Sequence, residues 1–328
     1  MAEFYPMFFE PVLKDYIWGG RNLEKLGRDL PETGKVAESW EISGHEDGMT
    51  VVKNGTYAGK SLQELLKLLG KDLVGANNQW ALERQKFPLL EKLIGAESRL
   101  SVQVHPDDDY AREYEGNELG KTEMWVILSA KPEAAIIYGL AEKTTPESLR
   151  QAIDEGVLES YLNKVFIKAG DHVCVPSGTV HAILEGALIA EIQQNSNTTY
   201  RMYDWNRVGD DGEPRSLHVE RALDVLDFNQ IGLSLDVPQE IQRKNRWVCE
   251  RLCQNKYFTT DRYLMEKGSK YSGVCDGSTL EIWGVLSGEA LIGGHPVQGV
   301  QFVLLPAAMG PYTIESLQNA VLLRTFAA

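Results

Sequence analysis

The sequence predicts a mainly β protein, built as two β sandwiches or barrels with helical insertions in and around the first. Two observations predict it. Short strand-like runs recur at residues 36–42, 50–53, 100–104, 125–129, 134–138, 164–167 and 187–193, separated by turn signals such as Asn54-Gly55 and Ala169-Gly170-Asp171. That pattern favours a sandwich or barrel over alternating strands and helices. After about residue 230 the strands resume, at 247–251, 262–265, 279–286, 289–292 and 301–305, the last followed by Pro306. Two domains, 1–230 and 231–328, are therefore expected.

Helices are expected near 61–86, 107–118, 145–162 and 216–228. The first opens on a capping box, Ser61 to Glu64, and carries Leu62, Leu65, Leu66 and Leu69 at helical spacing. The third has Thr145 as N-cap and Pro146 at the first helical position.

The composition, 43% hydrophobic and 24% charged over 328 residues, is that of an ordinary globular protein with room for two cores. A net charge of −14 argues against nucleic acid and anionic lipid as partners. An anionic substrate must then be met by a local basic pocket. No run approaches the ~18 apolar residues of a membrane span. Four scattered cysteines do not make a disulfide framework. Cys249 and Cys253 lack the second pair a structural zinc site needs and read as ordinary thiols. With no secretory start, a reducing cytoplasm is the simplest location. A monomer or weak homo-oligomer is expected.

Three stretches carry candidate chemistry. In SVQVHPDDD, Ser101, Gln103 and His105 share one face of a strand, forming either a solvated surface or one wall of a site. In GKTEMWVIL, Lys121 and Glu123 sit two apart at the edge of an apolar run, where a carboxylate needs a partner. In GDHVCVPSGTVHAI, Pro176 and Gly178 interrupt a strand and fix where the next one starts, at His181. Together Gln103, His105, Glu123 and His181 offer two imidazoles, a carboxylate and an amide oxygen. That set suits a catalytic divalent metal, zinc first.

The spacing Gly170-x5-Pro176-x-Gly178-x2-His181 resembles the second metal motif of cupin (jelly-roll) barrels. The chain as a whole resembles the type I phosphomannose isomerases. YIWGG at 16–20, AESWEIS at 37–43, FPLLEKLI at 87–94, SVQVHPDD at 101–108, GKTEMW at 120–125, VPSGTVHAI at 175–183 and EIQQNSNTTYRMYDW at 191–205 carry this resemblance. It implies two cupin domains and a reaction interconverting mannose 6-phosphate and fructose 6-phosphate through an enediol. It also implies one zinc ion on Gln103, His105, Glu123 and His181, with Arg201 catalytic. Sugar or phosphate contacts are implied from Ser101, Lys92, Lys121 and Glu191, with Trp18 and Glu38 lining the pocket. Glu191 is the first choice as proton carrier, and Lys92, Lys121, Ser101 and Arg201 as the phosphate cluster. The usual cupin His-x-His is Gln103-Val104-His105 here, as in the isomerases. The C-terminal domain, whose only histidine is His295, is expected to be metal-free, and His45, His172 and His218 to be structural.

Two other functions fit parts of the pattern. Two histidines and a carboxylate also describe a non-haem iron oxygenase, and a barrel can persist as a non-catalytic sugar-binding module. The former requires neither Gln103 nor the Arg201 segment, and the latter would be expected to have lost a ligand.

Overall fold

A computed structural model describes residues 4–209 and 212–328. The chain is a mainly β cupin fold in which strand order follows a jelly-roll pattern of antiparallel neighbours. In the first half, a six-stranded sheet runs His172–Val175, Glu123–Ala130, Ala187–Gln194, Leu89–Ala96, Glu38–Ser43, Val12–Lys14. A five-stranded sheet runs Tyr200–Tyr203, Val102–Val104, His181–Ile183, Ala135–Leu140, Leu162–Phe166. Ile94, Trp125 and Ile189 from the first meet Ile136, Tyr138 and Ile183 from the second in one apolar cluster. The second half pairs a six-stranded sheet with a four-stranded one.

Most expected strands are present with shifted ends. Leu89–Ala96 was not among them, although it is central to its sheet. All eight of its residues are buried. A strand covered on both faces loses the polar–apolar alternation that marks strands in a sequence. The helices are shorter than expected. Gly70 and Gly75 divide 61–86 into Leu62–Leu69, Lys71–Val74 and Gln79–Arg84. The others reduce to Asp108–Tyr114, Pro146–Asp154 with a 3-10 turn at Leu158–Tyr161, and Val219–Val225. The Ser61–Glu64 capping box and the Thr145 cap both form.

The strands before and after residue 230 share a core. Met7, Ile42, Leu65, Phe87 and Leu93 cluster with Leu252, Phe258, Leu304 and Leu323, and Met7 pairs with Leu304 backbone to backbone. One cysteine expectation is corrected: Cys253 is not a free thiol but is disulfide-bonded to Cys174. The strands carrying them are neighbours in space although 79 residues apart in sequence, with Cα atoms 6.0 Å apart, inside the usual disulfide range. Cysteine spacing could not show this. Cys249 and Cys275 are free and buried. Among the described residues, no helix is long and apolar enough to cross a membrane.

Candidate active site

The interrupted strand explains where the site lies. His172–Val175 ends at Pro176, which has no N–H to continue the ladder. Gly178 turns the chain with φ of 84°, a conformation that suits glycine. Its N–H donates to the His105 carbonyl at 2.9 Å. His181 then enters the inner sheet between Gln103 and Tyr138.

Three donors converge there. His105, Glu123 and His181 present ligand atoms all within 4.8 Å of one another, and all three are buried. His105 Nε2 is 3.2 Å from Glu123 Oε1, and His181 Nε2 is 3.8 Å from Oε2. Each imidazole is oriented by its other nitrogen: His105 Nδ1–H donates to the Thr198 carbonyl and His181 Nδ1–H to that of Thr179, each at 2.9 Å. Both Nε2 lone pairs are thereby turned inward, the arrangement metal-binding histidines use. Burial first, then the Lys121 charge, pushes His105 down to about 3, so its imidazole is neutral at pH 7. Trp125 Nε1–H holds Glu123 Oε2 at 3.1 Å.

Gln103 joins the group with its amide nitrogen 3.3 Å from His181 Nε2. Its Oε1 accepts from Ser101 Oγ at 3.2 Å, so turning the amide over would offer the oxygen instead. Lys121 Nζ lies 2.7 Å from Glu123 Oε1 and 3.1 Å from His105 Nε2. A positive charge thus already stands at the donor atoms, so the residues fit a cation.

A second charged group stands on the neighbouring strands. Lys92 Nζ is 2.8 Å from Glu191 Oε1 and 3.7 Å from Glu38 Oε2, and Trp40 Nε1–H donates to Glu38 Oε2 at 2.7 Å. Burial, then the Glu123 charge, raises Glu191 to about 7 against the pull of Lys92.

These groups border a cavity of about 250 Å³ lined by Trp18, Glu38, Lys92, Ser101, Gln103, Lys121, His181, Glu191 and Arg201. His105 and Glu123 are 1% exposed and are not on its lining. Sequence reasoning missed Arg215, Asn197, Thr199, Tyr16 and Trp125, which also line it. Arg215 follows the motifs by ten residues and no local pattern marks it.

The arginine side is held from outside. Arg201 Nη1–H donates to the Ser216 carbonyl at 2.8 Å, and the Arg201 N–H to His218 Nδ1 at 3.2 Å. His218, expected to be structural, accepts this hydrogen bond from the Arg201 backbone. Arg201 Nε is buried without a partner. Asp204 is shared by Arg207 Nη2 at 2.8 Å and Arg215 Nη2 at 2.6 Å. Among the described residues, Arg207 and Arg215 thus share one carboxylate and Arg201 pairs with none. Lys92 and Lys121, by contrast, face three: Glu38, Glu123 and Glu191.

Comparison with known proteins names this arrangement. Residues 7–143 match the catalytic domain of type I phosphomannose isomerase. The chain is 37% identical over 320 residues to the Bacillus subtilis mannose-6-phosphate isomerase ManA, covering 96% of this chain and 98% of that one. The chain belongs to the type I phosphomannose isomerase family. A Streptococcus mutans mannose-6-phosphate isomerase is 48% identical over 231 residues, 70% of each chain. The family fold extends over the whole length: a crystal structure of the mannose 6-phosphate isomerase from Bacillus subtilis matches at a TM-score of 0.87 and 34% identity, covering 98% of this chain and 99% of that one. At 15% identity a Salmonella typhimurium phosphomannose isomerase variant still matches at 0.75 over 98% of this chain and 99% of that one, a likeness of fold alone.

Proposed function

We propose that this protein interconverts mannose 6-phosphate and fructose 6-phosphate through an enediol, using one zinc ion held by His105, Glu123, His181 and Gln103. The observation that carries the reading is a buried His–Glu–His donor set that reaches the cavity through His181, with Glu191, a carboxylate raised to about 7, on the same lining. Two imidazole nitrogens with oxygen donors suit zinc. When bound, zinc supplies Lewis acidity toward the oxygens on C1 and C2.

The chain's own residues do the rest. Glu191 carries the proton between C1 and C2, because a carboxylate poised near neutrality can both take and return it. Lys92 keeps it aimed. Arg201, whose Nε is unpartnered, presents a charge that persists at neutral pH to the developing enediolate. Ser101, Trp18 and Glu38 shape the sugar's place.

The phosphate belongs on the arginine side. Lys92 and Lys121 are already opposed by carboxylates, whereas among the described residues Arg207 and Arg215 share the single carboxylate of Asp204 and Arg201 has no acidic partner within ion-pair distance. A dianion goes where positive charge is not neutralised. In this reading Lys121 balances Glu123 and Arg215 meets the phosphate. A cytoplasmic location suits the substrate, since a sugar phosphate dianion does not cross a bilayer unaided.

The direct test is to supply mannose 6-phosphate to the zinc-loaded protein and follow fructose 6-phosphate. Steady production supports the reading; a folded, zinc-loaded protein that makes none ends it.

A further inference from the structure

The two halves of the chain repeat one topology. The sheet that runs His172–Val175, Glu123–Ala130, Ala187–Gln194, Leu89–Ala96, Glu38–Ser43, Val12–Lys14 has a counterpart running Gln301–Leu305, Glu281–Ser287, Ala320–Ala327, Phe258–Met265, Trp247–Gln254, Gln239–Lys244. The chain visits the counterparts in the same order. Val175 and Leu305, at matching strand ends, are each followed by a proline.

Register makes the match residue by residue. Glu123 stands opposite Val175, Trp125 opposite Glu191, and Glu191 opposite Lys92. In the second half Glu281 stands opposite Leu305, Trp283 opposite Arg324, and Arg324 opposite Asp261. On the inner sheets His181 faces Gln103, and Tyr312 faces Gly273. Cys275, two residues after Gly273, then corresponds to His105. The positions of Gln103, His105, Glu123 and His181 are thus Gly273, Cys275, Glu281 and Tyr312.

One ligand survives, in the same setting. Trp283 Nε1–H donates to Glu281 Oε2 at 2.9 Å, as Trp125 does to Glu123 at 3.1 Å. Glu281 is 2% exposed, so its charge needs a partner. That partner is Arg324, whose Nη2 and Nε donate to Oε1 and Oε2 at 2.6 and 2.8 Å. Tyr312 O–H donates to the same carboxylate. The positions of Lys92 and Glu191 are held by Asp261 and Arg324, the charges exchanged; Asp261 pairs instead with Arg251, leaving Arg324 to Glu281. Gly273 is what lets the tyrosine in: a Cβ there would lie 2.3 Å from Tyr312 Cζ. Cys275 is buried nearby, its thiol pushed up to about 12 by burial and then by the Glu281 charge.

We propose that the centre of the C-terminal sandwich is a degenerate copy of the metal centre, turned into a fixed structural cluster in which the Arg324 guanidinium takes the place of a metal cation. The bidentate fork neutralises Glu281, and the Tyr312 ring fills the space the lost ligands leave. The second sandwich takes no metal in this protein because its cation is built in.

Two measurements test this. In urea unfolding of Arg324→Met, Glu281→Met and the double variant, Arg324→Met is expected to lower the folded-to-unfolded ratio about a hundredfold or more, since it strands a buried carboxylate. The double variant is expected to lose much less than the product of the two single losses. Independent, multiplying losses would overturn the proposal. Cobalt(II) binding gives a readout that fold stability alone would not move. The wild type is expected to bind one equivalent without a thiolate-to-cobalt band. Tyr312→His/Arg324→Gln is expected to bind a second equivalent, with that band, through Cys275. A second equivalent in the wild type would overturn the proposal, as would its absence in a variant with unchanged circular dichroism. If that variant does not fold, the urea comparison decides.

Discussion

Lys92 and Glu191 face each other on adjacent strands with Nζ 2.8 Å from Oε1, and both side chains are at least nine-tenths buried. Burial alone would lower the lysine, but Glu191 and Glu38 hold it above its usual range, so it stays charged. Glu191 is thereby fixed in place without being locked as a carboxylate. Glu191→Gln is expected to reduce kcat by about a hundredfold or more, with little change in KM, in steady-state assays on mannose 6-phosphate. Near-normal kcat would remove Glu191 from proton transfer.

Arg201→Ala is expected to retain metal while losing most turnover, because Arg201 contacts none of the donor atoms. Metal analysis beside the rate measurement separates the two effects. A variant with wild-type kcat would take Arg201 out of the chemistry.

Arg215 tests the placement of the phosphate. Removing one charge-assisted contact to a dianion costs about 1.5–3 kcal/mol, or roughly 10–100-fold. Arg215→Ala is expected to show that loss in kcat/KM, chiefly through KM. If Lys121→Met and not Arg215→Ala raises KM while metal content is unchanged, the phosphate lies on the lysine side.

Gly178 tests the turn that sets His181. With φ of 84° and a Cβ that would lie 3.0 Å from the Val225 carbonyl oxygen, Gly178→Val is strained twice over. It is expected to lose about 2 kcal/mol or more of stability and to bind metal more weakly. Denaturant unfolding and a metal titration read the two separately.

Glu118 gives a pH dependence outside the site. Burial would raise its carboxyl, but hydrogen bonds from His45 and Lys86 hold it down at about 2. A carboxyl depressed in the folded state stabilises the protein above its unfolded pKa, and that contribution is lost as pH falls from near 4.5 through 2. Glu118→Gln is expected to cost about 1–2 kcal/mol at pH 7 and less at pH 2.5. Equal losses at both values would show that its charge is not what matters.

The parts of the site that were legible in the sequence lie on strands whose neighbours are close in sequence. Gln103 and His105 share a face by alternation, Lys121 and Glu123 likewise, and Pro176 with Gly178 marks the turn before His181. What could not be read depends on distant pairing. Leu89–Ala96, buried on both faces, shows no alternation, yet it delivers Lys92 to Glu191. Arg215 reaches the cavity through Asp204, and His218 reaches the Arg201 backbone, from a segment with no motif. Cys174 meets Cys253 only because two sheets touch. The fold class was legible because turn residues punctuate short strands, while the repeated Glu-x-Trp at Glu123 and Glu281 gained meaning only once register aligned the two halves.

The most direct test of the central claim is to titrate zinc into the chelated protein while measuring bound metal and mannose 6-phosphate turnover together. The account predicts that activity rises with bound zinc and saturates at one ion per chain, and that His181→Ala shows neither. Full turnover in the metal-free protein, or a His181→Ala variant as active as the wild type, would contradict it.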